Sequence, residues 1–306
     1  MNAEQPIPAS VYWLVLLLAV LWGASWPFMK LGLEEMAPMR LRLFATSVGA
    51  LGLFLAARAM HAPIALPRGA WRRVAVMSFF NMGAWSLLMI YGLNSVGAGR
   101  AVILAYTFPL WTIPLSAWLM HEPVTRRKVL GLAVGLAGMA LLLGDELFTL
   151  GRSPLGALLL LGSAVSWAVG TVVMKRWPVD LPAVSLTAWQ STFATVVIAA
   201  YALPVESGPL QPFGLNAGPL LGVLYNAIVS GVFCQWAWYR IVAITPPGVS
   251  SLSTLAVPPL GVFLSMPMLG ERPQATDFAA LALVVAALAV VLLPARSSAV
   301  ARTPAT

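Results

Sequence analysis

The sequence predicts an all-α integral membrane protein in which ten transmembrane helices form two inverted five-helix repeats. Three observations support this fold class: an apolar composition, the spacing of long apolar stretches, and the recurrence of scarce residues in the second half. Of the 306 residues, 60% are hydrophobic and only 9% are Asp, Glu, Lys or Arg. Because a soluble domain has about 25% charged residues, the composition excludes a sizeable soluble domain.

The apolar residues lie in stretches long enough to cross a bilayer as helices. A hydrocarbon core about 30 Å thick requires roughly 20 helical residues, whereas a barrel strand requires only about 9–11 residues of alternating polarity. The stretches are too long for such strands and lack the alternation, so we expect helices. The ten expected spans are residues 11–30, 39–57, 74–94, 99–119, 129–147, 155–175, 183–203, 218–239, 248–269 and 276–294.

The basic residues predict the orientation of these spans. When the connections are taken alternately, twelve of the 18 Lys and Arg residues fall in the set that contains both termini. The positive-inside rule then places both termini in the cytoplasm. The net charge of +8 follows from this asymmetry, so we expect a lipid bilayer and no nucleic acid as the partner of the basic residues.

Cysteine usage and the first span exclude two other features. Cys234 is the single cysteine, so neither an internal disulfide nor a thiolate metal site is expected. The first apolar run follows a tail without Lys or Arg and has no small-residue cleavage pattern behind it. We therefore expect it to remain in the mature chain rather than to be a signal peptide, and we expect no cofactor or metal.

Scarce residues recur in the second half at nearly constant spacing. The spacing lies between 145 and 149 residues for Trp22 with Trp167, Lys30 with Lys175, Pro109 with Pro258 and Glu122 with Glu271. A repeat of five spans enters the membrane in the opposite sense the second time, because five is odd. The sequence therefore predicts two inverted halves, 1–150 and 151–306, which is a common layout of secondary transporters.

Three local patterns resemble the EamA family of the drug/metabolite transporter superfamily. They are Trp22-Gly23 followed by Lys30, the stretch from Gly97 to Trp111, and Glu122 at the end of the fourth span. The resemblance covers nearly the whole chain, once per half. Within the family, the chain is most similar to bacterial exporters of aromatic and other amino acids. The resemblance implies a multi-pass transporter of the bacterial inner membrane that moves small molecules by alternating access through a central cavity.

Polar and aromatic side chains at mid-span depth are the candidate substrate-binding residues, because polar groups inside a bilayer must line a wet cavity or pair with each other. Amides and hydroxyls can bind an ammonium and a carboxylate, while aromatic faces accept an apolar side chain. The alternative is that the amides bridge helices and the tryptophans pack or face lipid. The candidates are Trp22, Trp26, Ser78, Asn81, Trp85, Tyr106, Ser166, Trp167, Gln190, Tyr225, Asn226, Gln235 and Tyr239.

Two prolines and two basic residues form a second group of candidates. Pro109 and Pro258 each remove a backbone hydrogen bond within their spans, and their matched depth favours a hinge over an ordinary kink. Lys30 either snorkels to the surface or attracts a substrate carboxylate towards an outer opening, and Arg42 in the neighbouring connection shares this possible charge role. No buried ion of either sign is expected, so the sequence predicts a neutral or zwitterionic substrate.

The fifth and tenth spans differ from the others in having almost no polar residues. Gly131-x-x-x-Gly135 and Ala282-x-x-x-Ala286 are spacings of small residues that allow helices to approach closely. We therefore expect these two spans to pack outside the cavity.

Other functions remain open alternatives at this point. On the same fold, the substrate is alternatively a cationic drug, a sugar conjugate or a phosphorylated metabolite. A lipophilic cation calls for a buried acid, and a phosphorylated substrate calls for buried Lys or Arg. A membrane-embedded enzyme requires a catalytic pair or metal ligands within the membrane, and His61 and His121 both fall in connections. A scaffold leaves the duplicated polar faces without a purpose.

Overall fold

The computed structural model describes residues 9–95, 104–143, 154–269 and 275–292. Within these ranges the regular structure is entirely helical and contains no strand, which confirms the predicted all-α class. Six helices are long and apolar enough to cross a membrane: Ser10–Gly32, Pro38–Ala59, Trp71–Leu93, Pro154–Arg176, Ala183–Val205 and Ala217–Ile244.

Each expected span of the first half corresponds to helical structure. The helices are α1 (Ala9–Gly32), α2 (Pro38–Ala59), α3 (Trp71–Ser78), α4 (Trp85–Ser95), α5 (Phe108–Met120) and α6 (Arg126–Leu143). A π-helical segment, Phe79–Ala84, joins α3 to α4, so these three elements form one long span.

The second half follows the same plan. The helices are α7 (Pro154–Arg176), α8 (Ala183–Val205), α9 (Ala217–Tyr225), α10 (Gln235–Ile244), α11 (Pro247–Ser253), α12 (Val257–Leu269) and α13 (Ala275–Leu292). A π-helical segment, Asn226–Cys234, joins α9 to α10, and a 3₁₀ turn, Thr254–Ala256, joins α11 to α12.

The two π-helical segments occupy matched places in the two halves. Gly83 lies in the first and Gly231 in the second, 148 residues further along the chain. A Cβ atom at Gly49 of α2 would lie 2.8 Å from the carbonyl oxygen of Gly231, so glycine is required for α2 to approach the second segment this closely. π-helical turns often occur at functional sites, and both segments here carry an asparagine towards the centre of the bundle.

The helices pack mainly against helices of the other half. The contact between α1 and α12 has its counterpart between α7 and α5. The contact of α1 with the eighth span, made mainly through α9, has its counterpart in the contact of α7 with the third span, made mainly through α4. The remaining extensive pairs, α2 with α8 and α6 with α13, join corresponding helices. Exchanging the two halves therefore leaves the list of spans that pack most extensively against each other unchanged.

The paired corresponding helices run antiparallel. Glu206, just beyond the end of α8, accepts hydrogen bonds from the first turn of α2: its Oε2 lies 2.9 Å from the Met39 nitrogen and 3.0 Å from the Arg40 nitrogen. In the other pair, Gly131 at the start of α6 contacts Val291 near the end of α13, and Gly138 contacts Val284.

The close contact of the fifth and tenth spans uses only one of the two predicted small-residue spacings. Gly131 and Gly135 of α6 face α13. Ala282 and Ala286 of α13 are exposed, and α13 instead presents Ala287 and its neighbours one turn away to α6. The prediction for Ala282 and Ala286 was therefore wrong, because equally small apolar residues on the other faces of α13 leave the contacting face undefined in the sequence.

Both candidate hinge prolines lie at helix starts rather than inside continuous helices. Pro109 is the second residue of α5, which begins after a turn at Tyr106 and Thr107. Pro258 is the second residue of α12, which begins after the 3₁₀ turn at Thr254–Ala256. A proline is well tolerated in the first helical turn because the nitrogen there needs no partner within the helix. The two breaks are therefore interruptions between helix segments, at matched positions in the two halves.

Candidate functional site

A small cavity of about 40 Å³ lies where the broken and π-helical spans converge. This volume is well below the range of about 300–1,000 Å³ that is typical of small-molecule sites, so the lining side chains nearly fill the site in this conformation. The residues that line it are Trp22, Ser25, Trp26, Met29, Arg42, Asn81, Trp85, Met89, Tyr106, Trp167, Asn226, Ser230, Gln235, Trp238 and Tyr239. They come from both halves of the chain.

The apolar wall of the cavity is a cluster of aromatic rings around Trp167. The ring of Trp167 is stacked on Phe108 with centroids 4.2 Å apart, and it meets Trp22 at 5.6 Å and Trp238 at 5.3 Å in edge-on arrangements. Trp85 adds a further edge-on contact at 5.7 Å. Such ring pairs hold one another in fixed orientations, so this wall is a rigid surface suited to a flat apolar group.

The amide groups of the lining come from the two π-helical segments and α10. Asn81 donates from Nδ2 to Oε1 of Gln190 at 3.3 Å, while its Oδ1 has no hydrogen-bond partner among the described residues. Asn226 donates to the carbonyl of Gly222 at 3.0 Å. Because a π-helical turn shifts the register of a helix, these amides face the cavity from within a span.

Arg42 lines the cavity, in contrast to the expectation that no ion would be buried. α2 begins at Pro38, so Arg42 lies a full turn inside the helix. Its Nη2 donates to Oγ of Ser86 at 3.0 Å, and its Cζ lies 5.3 Å from the ring centroid of Trp85. The prediction of a cavity without charge was wrong, because the guanidinium turns inwards from the start of the second span and lies against Ser86 and Trp85.

Four candidate substrate-binding residues lie outside the cavity lining, in contacts between helices. Ser78 donates to the carbonyl of Gln190, and Ser166 donates to the carbonyl of Phe80 at 2.7 Å. Tyr225 donates to the carbonyl of Leu21 at 2.9 Å. Gln190 is fully buried and holds Asn81. These side chains position the helices that line the cavity. The other nine candidates are all part of the lining.

Five lining residues were not among the sequence candidates, namely Ser25, Met29, Met89, Ser230 and Trp238. Helical periodicity is the signal that identifies them. Trp238 follows Gln235 by three residues and Met89 follows Trp85 by four, so each shares a helix face with a predicted residue.

The two matched lysines are in different environments. Lys175, at the end of α7, donates from Nζ to the carbonyls of Val242 and Ala243 at 3.1 and 2.8 Å. Lys30 is exposed, and no hydrogen bond from its side chain is present within the described ranges. Lys175 therefore fastens the end of α7 to the last turn of α10.

Comparison with protein families identifies the chain. The EamA-like transporter family matches residues 9–144 and again residues 154–293. The chain belongs to the EamA-like transporter family. The two matches account for most of the sequence and correspond to the two halves that share the cavity.

Individual relatives are transporters as well. The uncharacterized transporter YoaV of Bacillus subtilis is 24% identical over 84% of this chain and 88% of its own length. A probable amino-acid metabolite efflux pump of Salmonella typhimurium is 24% identical over 90% of this chain and 92% of its own length. A protein of known crystal structure has a TM-score of 0.76 at 21% identity and covers 93% of this chain and 98% of its own, which shows that the fold is shared.

Proposed function

We propose that this EamA-like transporter exports amino acids, aromatic and other neutral ones, or similar small metabolites by alternating access. The observation that carries the proposal is the cavity between the two halves, in which a wall of aromatic rings faces amides and one guanidinium. An apolar side chain fits the first surface, and the polar end of an amino acid fits the second. The Salmonella relative, named as a probable amino-acid metabolite efflux pump, supports the same substrate class.

The proposed architecture has ten crossings in two inverted halves, 1–150 and 151–306. The antiparallel pairing of α2 with α8 and of α6 with α13 supports this assignment, as do the matched π-helical segments. In such a repeat, the two halves rock about a site near the centre of the membrane and expose it to each side in turn.

The breaks before Pro109 and Pro258 are the proposed bending points. Each separates two helical segments at the same depth of its half, and each lies close to the cavity, since Tyr106 is part of the lining. Fewer backbone hydrogen bonds have to break there than in a continuous helix.

The proposed location is the bacterial inner membrane with both termini in the cytoplasm. The excess of basic residues in the connections on that side supports it, as does the bacterial origin of the relatives. In this orientation, Lys175 and the contact that it makes between α7 and α10 lie on the cytoplasmic side.

Export of lipophilic cations is the second candidate function on this fold. It calls for an acidic side chain in the cavity. Among the described residues, the lining contains Arg42 and no carboxylate, so amino-acid export is favoured. Since the family and its relatives are transporters, catalysis within the membrane and a purely structural role have no comparable support.

Purified protein in liposomes tests the proposal. Uptake of labelled Phe, Trp, Thr and Met is compared with empty vesicles, with and without an imposed proton gradient. We expect uptake above the empty-vesicle rate without the gradient, because no carboxylate among the described lining residues is present to carry a proton. Gln235→Ala removes an amide from the lining and is expected to slow uptake, whereas Gln211→Ala in an exposed loop is its matched control. Failure of all four amino acids to enter refutes the assignment.

A further inference from the structure

Several buried polar atoms of the cavity have no hydrogen-bond partner. Among the described residues they are Nε of Arg42, Oδ1 of Asn81, and the indole nitrogens of Trp85 and Trp238. Buried polar atoms in folded proteins are nearly always paired, so a cluster of unpaired ones in a cavity indicates groups that a ligand can satisfy. Three of the four are donors and only one is an acceptor, so the cavity is best matched by a ligand rich in acceptor oxygens.

The charge of Arg42 is the dominant member of this cluster. Its described neighbours are neutral: the hydroxyl of Ser86 accepts one hydrogen bond, and the ring of Trp85 lies beneath the guanidinium. No carboxylate lines the cavity within the described ranges. A guanidinium stays protonated inside a protein, and a buried charge is costly unless an opposite charge or a set of hydrogen bonds compensates it.

We propose that Arg42 anchors the carboxylate of the substrate, and that the cavity accepts aromatic monocarboxylates whether or not they carry an amino group. The guanidinium offers two parallel N–H groups to a carboxylate, and the indole nitrogen of Trp85 is a further donor on the same side chain that stacks with it. The ring of the ligand then lies against the aromatic wall formed by Trp167 and its neighbours. This inference rests on the proposed transport function and specifies its substrate class.

The amino group contributes less, because its partner is neutral. Oδ1 of Asn81 can accept one N–H bond from an ammonium. An amide does not compensate a positive charge. When a zwitterion is bound, the cavity therefore keeps the net positive charge of Arg42, whereas a bound carboxylate without an amino group neutralises that charge. An aromatic amine without a carboxylate brings a second positive charge to the site and is excluded.

Ligand binding to the purified protein tests this order without any transport step. Phenylalanine, phenylpropanoate and phenethylamine share one ring and differ only in the carboxylate and the amino group. In calorimetric titrations at neutral pH, we expect phenylpropanoate to bind at least as tightly as phenylalanine, and phenethylamine to bind about tenfold or more weakly, as loss of a charged hydrogen bond predicts. Equal or tighter binding of phenethylamine, or no binding of phenylpropanoate, overturns the proposal.

Variants of Arg42 test the anchor itself. Arg42→Gln removes the charge and is expected to weaken phenylpropanoate binding about tenfold or more. Arg42→Lys keeps the charge but loses the two parallel N–H groups, so its affinity for phenylpropanoate is expected to lie between those of the wild type and Arg42→Gln. Arg58→Gln, on the exposed side of the same helix, is the matched control and is expected to bind like the wild type. Unchanged binding by folded Arg42→Gln overturns the proposal. If that variant does not fold, as judged by its melting temperature, Arg42→Lys and the ligand order of the wild type decide.

The failure of this inference is distinguishable from that of the proposed function. If phenylalanine enters liposomes but neither its uptake nor phenylpropanoate binding depends on Arg42, the transport function stands and the anchor is refuted. If phenylpropanoate binds through Arg42 but no amino acid is transported, the anchor stands and amino-acid export is refuted.

Discussion

The side chain of Lys175 joins α7 to the end of α10 through the carbonyl of Val242, at an Nζ–O distance of 3.1 Å. The carbonyl of Ala243 accepts a second bond at 2.8 Å. α10 ends at Ile244, so both carbonyls belong to its last turn, where a cation also compensates the negative end of the helix. These two bonds fasten the end of α7 to the last turn of α10.

Replacing Lys175 by Met is expected to let α7 and α10 separate and so to favour opening of the cavity on the side of the membrane where Lys175 lies. The variant removes two charged hydrogen bonds, which corresponds to about a tenfold shift in the open population. In a Cys234→Ala background, a Ser230→Cys reporter in the cavity is labelled with a membrane-impermeant maleimide applied from the Lys175 side. We expect labelling to be about tenfold faster. Arg176→Met, an exposed neighbour, is the control, and equal rates for both variants contradict the role of Lys175 in closure.

Gly170→Ala is expected to damage the cavity from outside it. A Cβ at Gly170 of α7 would lie 2.8 Å from the backbone nitrogen of Asn81, so the π-helical segment would have to move. Overpacking of this kind costs about 1–3 kcal/mol. Thermal unfolding and substrate binding should both weaken. Gly162→Ala on the same helix has its nearest contact at 3.6 Å and should behave like the wild type. Equal effects at both glycines argue against close packing as the cause.

Glu206→Gln is expected to destabilise the contact between α2 and α8. The carboxylate accepts bonds from the nitrogens of Met39 and Arg40 at the positive end of α2, and loss of a cap and its charge costs about 0.5–2 kcal/mol. The melting temperature in detergent should fall, while Glu34→Gln at an exposed turn leaves it unchanged. A melting temperature that does not change in Glu206→Gln shows that the cap is dispensable.

Trp167→Phe is expected to slow transport of aromatic substrates more than that of threonine. The substitution retains the stacking on Phe108 but shortens the edge that meets Trp22 and Trp238, and so alters the surface offered to a ring. Liposome uptake of labelled Trp and Thr measures the difference. Trp118→Phe, at a position 74% exposed, is the control. If Trp and Thr uptake fall equally, Trp167 supports the fold rather than the substrate.

Much of the fold and part of the site could be predicted from the sequence, because both leave periodic signals. The spans follow from hydropathy, and the repeat follows from scarce residues such as Trp22 and Trp167. These residues also mark the cavity, since a large aromatic ring in the interior of both halves meets its counterpart at the centre.

The rest depends on contacts between distant residues. The hydropathy pattern places Arg42 near the start of the second span, where a basic side chain is expected to reach the membrane surface, and only its contacts with Ser86 and Trp85 show that it faces the cavity. Ser78 and Gln190 are polar residues at mid-span depth, as the cavity residues are, so the sequence does not distinguish them. Only the hydrogen bond from Ser78 to the carbonyl of Gln190 shows that they join helices. A π-helical segment has no distinctive residue pattern, so the inward orientation of Asn81 was supported by its polarity alone.

The packing of each half against the other has a consequence for biosynthesis. When the first five spans have left the ribosome, the helices against which α1, α2 and α6 will pack have not yet been synthesised. These main partners are α12, α8 and α13. The side chain of Asn81 likewise has no Gln190 to bond with until more than a hundred further residues have been synthesised. The nascent first half must therefore remain in the bilayer with the amide of Asn81 uncovered, and its assembly can be completed only near the end of translation.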